Sequence, residues 1–294
     1  MKFFQPRTVS EAVSMAQIPG MAFLAGGTDL VLSIREGKTR PDGLIDLSGL
    51  PDLREISVRD DALRIGSMAT FRDLSDSSPV KEHARALWLA CQTMGSPQIR
   101  NQATIGGNLG NCSPAADGLP PLLALGAQVH LIDAAGEETL ALAELLKQWP
   151  LPPSALITGF SIPISGGLSG FSKLGRRQAL AIARLSIAVT IQVQGLRAEE
   201  IRVAFGAVGK HAFLSDSLAI KLAGKEITEQ WLEEAVQGAQ SIVRDALGNR
   251  ASAPYKRIAA GGVMRQALQS VNWPQLELQT LLTKQTPYYV EGRG

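Results

Sequence analysis

Two periods of apolar residues alternate along the chain. Thr8-Val9-Ser10-Glu11 has the form of a capping box and predicts a helix through about Ala16. A short apolar run, Met21 to Ala25, reads as a strand, and Leu30, Val31 and Ile34 suit a short helix directly after it. Gly43 to Leu47 and Leu63 to Met68 read as further strands, the second ending at a possible helix start, Thr70 to Asp73. Ala86, Leu87, Ala90 and Met94 carry helical spacing across a predicted helix from Glu82 to Met94, stopped by Gly95-Ser96-Pro97. A long Gly- and Asn-containing stretch from Ile99 to Asp117 follows, then a Leu-rich helix (LPPLLALG) and a strand from Ala127 to Asp133.

The pattern changes beyond Ser165-Gly166-Gly167, and a boundary falls near 165. Leu180 to Gln194 and Ile201 to Val208 read as two long strands. The short connection between them implies antiparallel pairing. Two helices, about Thr228 to Leu247 and Ala253 to Val271, precede a tail, PYYVEGRG, expected to be loose or a partner contact.

Two glycine pairs punctuate the first part. FLAGGTDLV spans Phe23 to Val31, and TIGGNLGNCSPAAD spans Thr104 to Asp117. A glycine pair lets backbone N–H groups approach a ligand phosphate, because no Cβ intervenes. Neither pair is followed by the lysine of a P-loop, and neither fits G-x-G-x-x-G. Thr28, Thr104 and Asn108 can donate neutral hydrogen bonds beside the glycines. Together they suggest a cradle for two linked phosphates built from amides and hydroxyls. Asp29 is then free to cap the following helix or to accept from a ribose hydroxyl.

Composition narrows the chemistry. The 294 residues are 45% hydrophobic and 19% charged with a net charge of +2, which points to neither nucleic acid nor a membrane span. Two cysteines, Cys91 and Cys112, are too few for a four-thiolate iron–sulfur cluster and fit a reducing cytoplasm. The histidines, His83, His130 and His211, lack metal-ligand spacing, and His130 reads as a structural strand residue. Trp88, Trp149, Trp231 and Trp273 read as packing residues.

LAGGTDL at 24–30, SPQIRNQATIGGN at 96–108, SPAAD at 113–117, LLALGA at 122–127, ITGFSIP at 157–163 and K-x-x-R-R at 173–177 together resemble the FAD-binding medium subunit of molybdenum hydroxylases. Xanthine, nicotinate and carbon monoxide dehydrogenases belong to that group. The resemblance implies an α+β architecture. An FAD-binding domain of the p-cresol methylhydroxylase type would span 1–165, in two α/β subdomains of about 1–55 and 56–165. A C-terminal domain, 166–275, would hold a three-stranded antiparallel sheet and helices, with a tail at 276–294.

The resemblance also implies site residues. Ala25, Gly26, Gly27, Thr28, Asp29 and Leu30, with Thr104, Ile105, Gly106, Gly107 and Asn108, would hold the FAD diphosphate. Asn111 would lie near the cofactor, Asp117 would bind FAD hydroxyls, Ile157 would lie against the isoalloxazine and Lys173 near that ring. Three departures stand out: Met94 replaces an aromatic near the adenine, Cys112 falls beside the flavin, and the chain lacks the cysteine-rich insertion some relatives carry. The implied function is electron transfer in an oxidoreductase. Electrons would come from [2Fe–2S] clusters in a small subunit, fed by a molybdenum cofactor in a large molybdopterin subunit, and pass through FAD to NAD or another acceptor. The expected substrate is a purine or other N-heterocycle. The alternatives are a free-standing FAD-dependent oxidase and a non-catalytic nucleotide-binding module.

Overall fold

The computed structural model describes residues 1–175 and 182–283. The first strands, β1 (Lys2–Phe4), β2 (Met21–Leu24) and β3 (Gly43–Asp46), form a parallel sheet in the order β1-β3-β2. Between them run α1 (Val9–Ala16) and α2 (Leu30–Arg35). Thr8 Oγ1 caps α1 by accepting from the Glu11 N–H, at 3.1 Å. The Glu11 carboxylate reaches back one residue further than a capping box requires, to the Arg7 N–H.

The second sheet is antiparallel. It contains β4 (Ile56–Arg59) and β5 (Ala62–Gly66), and then, after six short helices, β6 (Gln128–Asp133), β7 (Gly136–Ala141) and β8 (Leu156–Pro163), in the order β4-β5-β8-β6-β7. The intervening helices are α3 (Phe71–Asp76), α4 (Ser78–His83), α5 (Arg85–Thr93), α6 (Pro97–Gln102) and α7 (Ile105–Asn111), with α8 (Leu119–Ala124) packed ahead of β6 and α9 (Leu142–Lys147) after β7.

One sequence expectation needs correction here. The predicted helix from Glu82 is broken at Ala84 (φ −137°, ψ 51°), which separates α4 from α5. The break aims the first turn of α5 at the C-terminal sheet: the Ala86 N–H donates to Ser169 Oγ and Arg85 Nε to the Ser270 carbonyl. The stretch 99–117, given no element from the sequence, also holds helices. Ser96 and Thr104 each cap a helix by accepting from the N–H three residues on, so α6 and α7 form inside it.

The remaining strands, β9 (Leu168–Leu174), β10 (Leu185–Gln194) and β11 (Arg197–Gly206), make the expected antiparallel sheet, with the two-residue strands β12 (Phe213–Leu214) and β13 (Lys225–Glu226) added to β11. Between the two short strands lies α10 (Asp216–Leu222); α11 (Glu229–Leu247) and α12 (Ala253–Gln269) follow, and α13 (Leu276–Thr283) is a further helix that the sequence pattern did not suggest.

Seven consecutive residues at the start of β10 are buried, because both faces of this sheet are covered. Leu185, Ile187, Val189 and Ile191 join Val203 and Phe205 in the core with Trp231, Val243 and Met264 of α11 and α12. The opposite face presents the smaller Ala188 and Ala204, which belong to the core that holds Leu119, Leu122 and Leu123 of α8. Small residues on that face let α8 lie close to the sheet.

The two halves are also joined by a buried ion pair. Lys173 Nζ on β9 donates to Asp117 Oδ2 at 2.6 Å, with the side chains only 8% and 7% exposed. Burial pushes the Asp117 carboxyl above its ordinary pKa, and the Lys173 charge and hydrogen bond oppose that rise. Removing one partner strands a buried charge and costs far more than replacing both. We expect Lys173→Met to lower stability by about 3–5 kcal/mol, and Asp117→Asn combined with Lys173→Met to recover most of that loss. Denaturant unfolding of the single and double variants checks the sign and the recovery.

Candidate functional site

A cleft of about 450 Å³ opens where the β2–α2 connection faces α7. That volume falls within the range of ligand sites. Both glycine pairs line it, and close backbone packing explains their composition. A Cβ on Gly26 would lie 1.8 Å from the Gln102 carbonyl oxygen at the end of α6, so only glycine lets the loop sit there. A Cβ on Gly106 would lie 2.5 Å from Ser67 Cβ, so α7 can rest on the end of β5 only through that glycine.

The two pairs differ in what their amides do. Among the described residues, none accepts a hydrogen bond from the N–H of Gly26, Gly27, Thr28 or Asp29. Gly27 turns the chain with φ +71°, and Asp29 occupies the N-cap position of α2 without its carboxylate capping an amide. The second pair is not a turn but the first turn of α7, and its amides are already used. Ile105 N–H donates to the Ala69 carbonyl, Gly106 N–H to the Ser67 carbonyl and Gly107 N–H to Thr104 Oγ1. The expectation that both glycine pairs expose successive N–H groups therefore holds for the first only.

The other predicted residues separate into three groups. Ala25 to Leu30, Thr104, Gly106, Gly107, Asn108, Asn111 and Ile157 all line the cleft. Asn108 Oδ1 accepts from the Gly118 N–H, which turns its Nδ2 into the remaining donor of that amide. Ile105 is fully buried in the core and lies outside the cleft lining. Asp117 and Lys173 also lie outside it, paired with each other. Asp117 does not cap α8, whose N-cap position is Gly118 with no side-chain bond. Its Oδ1 is buried without a partner among the described residues. Arg176 and Arg177 lie outside the described residues.

Several lining residues were not anticipated. Ser67 and Met68 follow β5, and the Trp149-Pro150-Leu151-Pro152-Pro153 segment also lines the cleft. Trp149 was expected only to pack. It lines the cleft and also meets the His211 ring edge-on, at 6.4 Å between centroids. Trp88, Trp231 and Trp273 do anchor the core, each donating its indole N–H to a carbonyl. His130 is held on the sheet by Thr139 and Ser161. Met94 and Cys112 stay outside the lining; Cys112 Sγ sits 3.2 Å from His211 Nδ1, and burial pushes its thiol up to about 11 against the opposing charge of Lys210.

Among the described residues, the lining includes no lysine, arginine or histidine, and Asp29 is the one charged residue there. The free donors are uncharged amides, with Asn108 Nδ2 beside them; the Thr28 hydroxyl lies there too, donating to Asp29 Oδ2 at 3.4 Å. Around them lie apolar walls from Phe23, Leu47, Met68, Leu151, Leu156 and Ile157. This is a site for a long ligand that joins planar apolar parts to an anionic linker.

A family model described as the FAD binding domain in molybdopterin dehydrogenase matches residues 1–165. The chain belongs to that family. A second model, the CO dehydrogenase flavoprotein C-terminal domain, matches residues 170–271. The chain is 30% identical over 278 residues to the nicotinate dehydrogenase FAD-subunit of Eubacterium barkeri, covering 90% of this chain and 94% of the relative. It is 29% identical over 220 residues to the xanthine dehydrogenase FAD-binding subunit of Escherichia coli O157:H7, covering 69% and 73%. A solved carbon monoxide dehydrogenase chain from Hydrogenophaga pseudoflava superimposes with a TM-score of 0.82 at 26% identity, covering 92% of this chain and 96% of that one.

Free amides, an uncharged donor set and flat apolar walls fit the dinucleotide that the family binds. A valine at position 107 would fill the gap between Thr104 Oγ1, 2.9 Å from the added Cβ, and Ala25 Cβ, 3.5 Å away. We expect Gly107→Val to purify folded but without flavin, seen as loss of the flavin absorption band with the far-UV circular dichroism retained.

Proposed function

We propose that this chain is the electron-transfer subunit of a molybdenum hydroxylase acting on N-heterocycles, purines among them. Its partners in this reading are a small subunit carrying [2Fe–2S] clusters and a large molybdopterin subunit, and its acceptor is NAD or another oxidant. The observation that carries the reading is the run of four N–H groups, Gly26 to Asp29, that find no acceptor among the described residues, on the wall of a cleft whose described lining holds no cation. Relatives named for nicotinate and xanthine support the substrate class. We place the division of the chain near 165 and assign the compartment as the cytoplasm, in keeping with its two free cysteines. Among the described residues no helix is long and apolar enough to cross a membrane.

FAD, when bound, supplies the exchange of electrons between an iron–sulfur relay and a final acceptor. The chain's own residues bind and orient it. The 26–29 amides would neutralise the diphosphate with dipoles, the Thr28 hydroxyl would join them on turning from Asp29, and Asn108 Nδ2 would add a donor from α7. Trp149, Leu151 and Ile157 line the cleft and would hold the planar ring and limit its contact with water. The Asp117–Lys173 pair fixes the seam between β9 and the segment joining α7 to α8, and because it is internally compensated it adds little net charge to the region. Lining residues include no histidine, so within the described residues a proton-abstracting imidazole does not face the cleft, and the reading of a free-standing alcohol oxidase draws no support from it.

The purified chain is expected to be yellow, to bleach with dithionite, and to leave its flavin oxidised when offered N-heterocycles or simple alcohols. Adding the iron–sulfur and molybdopterin subunits is expected to restore substrate-dependent reduction of the acceptor. Flavin reduction by an organic substrate in the chain alone, at a catalytic rate, would overturn this reading in favour of the free-standing oxidase.

A further inference from the structure

Ser67 is a buried hydroxyl that the protein leaves without a partner. It follows the last residue of β5 and forms part of the cleft wall at 3% exposure. Both of its backbone groups are committed: the N–H donates to the Thr158 carbonyl at 3.0 Å, and the carbonyl accepts from the Gly106 N–H at 2.8 Å. These two bonds clamp Ser67 between β8 and the first turn of α7, so the residue cannot move away from the cleft without breaking one of them. Among the described residues nothing bonds its Oγ.

A buried hydroxyl without a partner is destabilising, and alanine at this position would avoid that cost at nearly the same volume. The neighbourhood indicates what completes the bond. On one side of Ser67 lies Ile157, next in sequence to its backbone partner Thr158, on the apolar wall assigned above to the flavin ring. On the other side is Gly106, at the foot of α7, whose own N–H is consumed by Ser67. The α7 turn therefore offers a ligand no amide at this point, and the Ser67 hydroxyl is the donor present in its place.

We propose that Ser67 is a cofactor-binding residue whose hydroxyl donates to an oxygen of FAD between the diphosphate and the flavin ring. The inference rests on the flavin cleft described above. It assigns to one serine the completion of a hydrogen bond that the protein alone leaves unmade.

The test reads two quantities on the full chain stripped of flavin: the thermal midpoint of the apo protein, and FAD affinity from the quenching of flavin fluorescence. Ser67→Ala is expected to raise the apo midpoint by about 2 °C while weakening FAD binding about tenfold to a hundredfold, the range for a hydrogen bond to a charged or strongly polar oxygen. A purely structural serine gives the opposite pattern, a lower apo midpoint with FAD affinity falling only in parallel or not at all. Either that pattern, or an FAD affinity within about twofold of the parent, overturns the assignment while leaving the flavin cleft intact. Failure of the parent chain itself to bind FAD would instead remove the cleft reading on which the assignment rests.

Discussion

The site depends on backbone lying against backbone. The β2–α2 loop meets the end of α6 at Gly26, where an added Cβ would stand 1.8 Å from the Gln102 carbonyl oxygen. From the other side, α7 rests on Ser67 through Gly106. These two contacts draw the parallel three-stranded sheet and the antiparallel five-stranded sheet toward each other and define the cleft between them. Because the contact is made by main chain, the amides of 26–29 are positioned by the fold itself and need no long flexible cations. Fixed dipoles lose little conformational freedom when a ligand arrives, whereas lysine or arginine side chains would have to be ordered.

The C-terminal part supports this arrangement from behind. Its sheet presents Ala188 and Ala204 to α8 and holds Asp117 through Lys173, and the first turn of α5 is met by Ser169 on β9 and Ser270 at the end of α12. At the far end, the Ala207 N–H donates to the Pro114 carbonyl at 2.7 Å, and His211 bridges from Cys112 to Trp149 on the cleft wall. The segment from α7 to α8 is thus gripped by the C-terminal part, and the cleft inherits its rigidity from contacts made many residues later in the chain.

Much of this was legible in the sequence where short-range chemistry decides the structure. Thr8 and Thr70, read from the sequence as helix starts, do cap α1 and α3, each accepting from the amide three positions on; Ser96 and Thr104 cap in the same way but were read as a helix stop and a phosphate donor. The long antiparallel pair β10–β11 followed from its β-branched runs and short connection. The glycine pairs identified the cleft, and the motif resemblance identified the family. Legibility failed where distant partners decide. Nothing near Ala84 announces the break between α4 and α5, whose reason is a hydrogen bond to Ser169. The pairing of Asp117 with Lys173 joins residues 56 apart in sequence, and each alone reads as a ligand contact. The cleft lining formed by Trp149 to Pro153 was not read from the sequence, because a Pro-rich segment is a loop signal whether or not the loop faces a cavity.

The central claim is that unpaired amides of one glycine loop, and not cations, hold the cofactor. Amide hydrogen exchange of the apo chain and of the FAD-loaded chain tests it at the residues concerned. The account predicts that FAD slows exchange at Gly26, Gly27, Thr28 and Asp29, which have no acceptor within the described protein, while Gly106 and Gly107, already bonded, change little. Unchanged exchange at 26–29 in a chain that has bound FAD would contradict it.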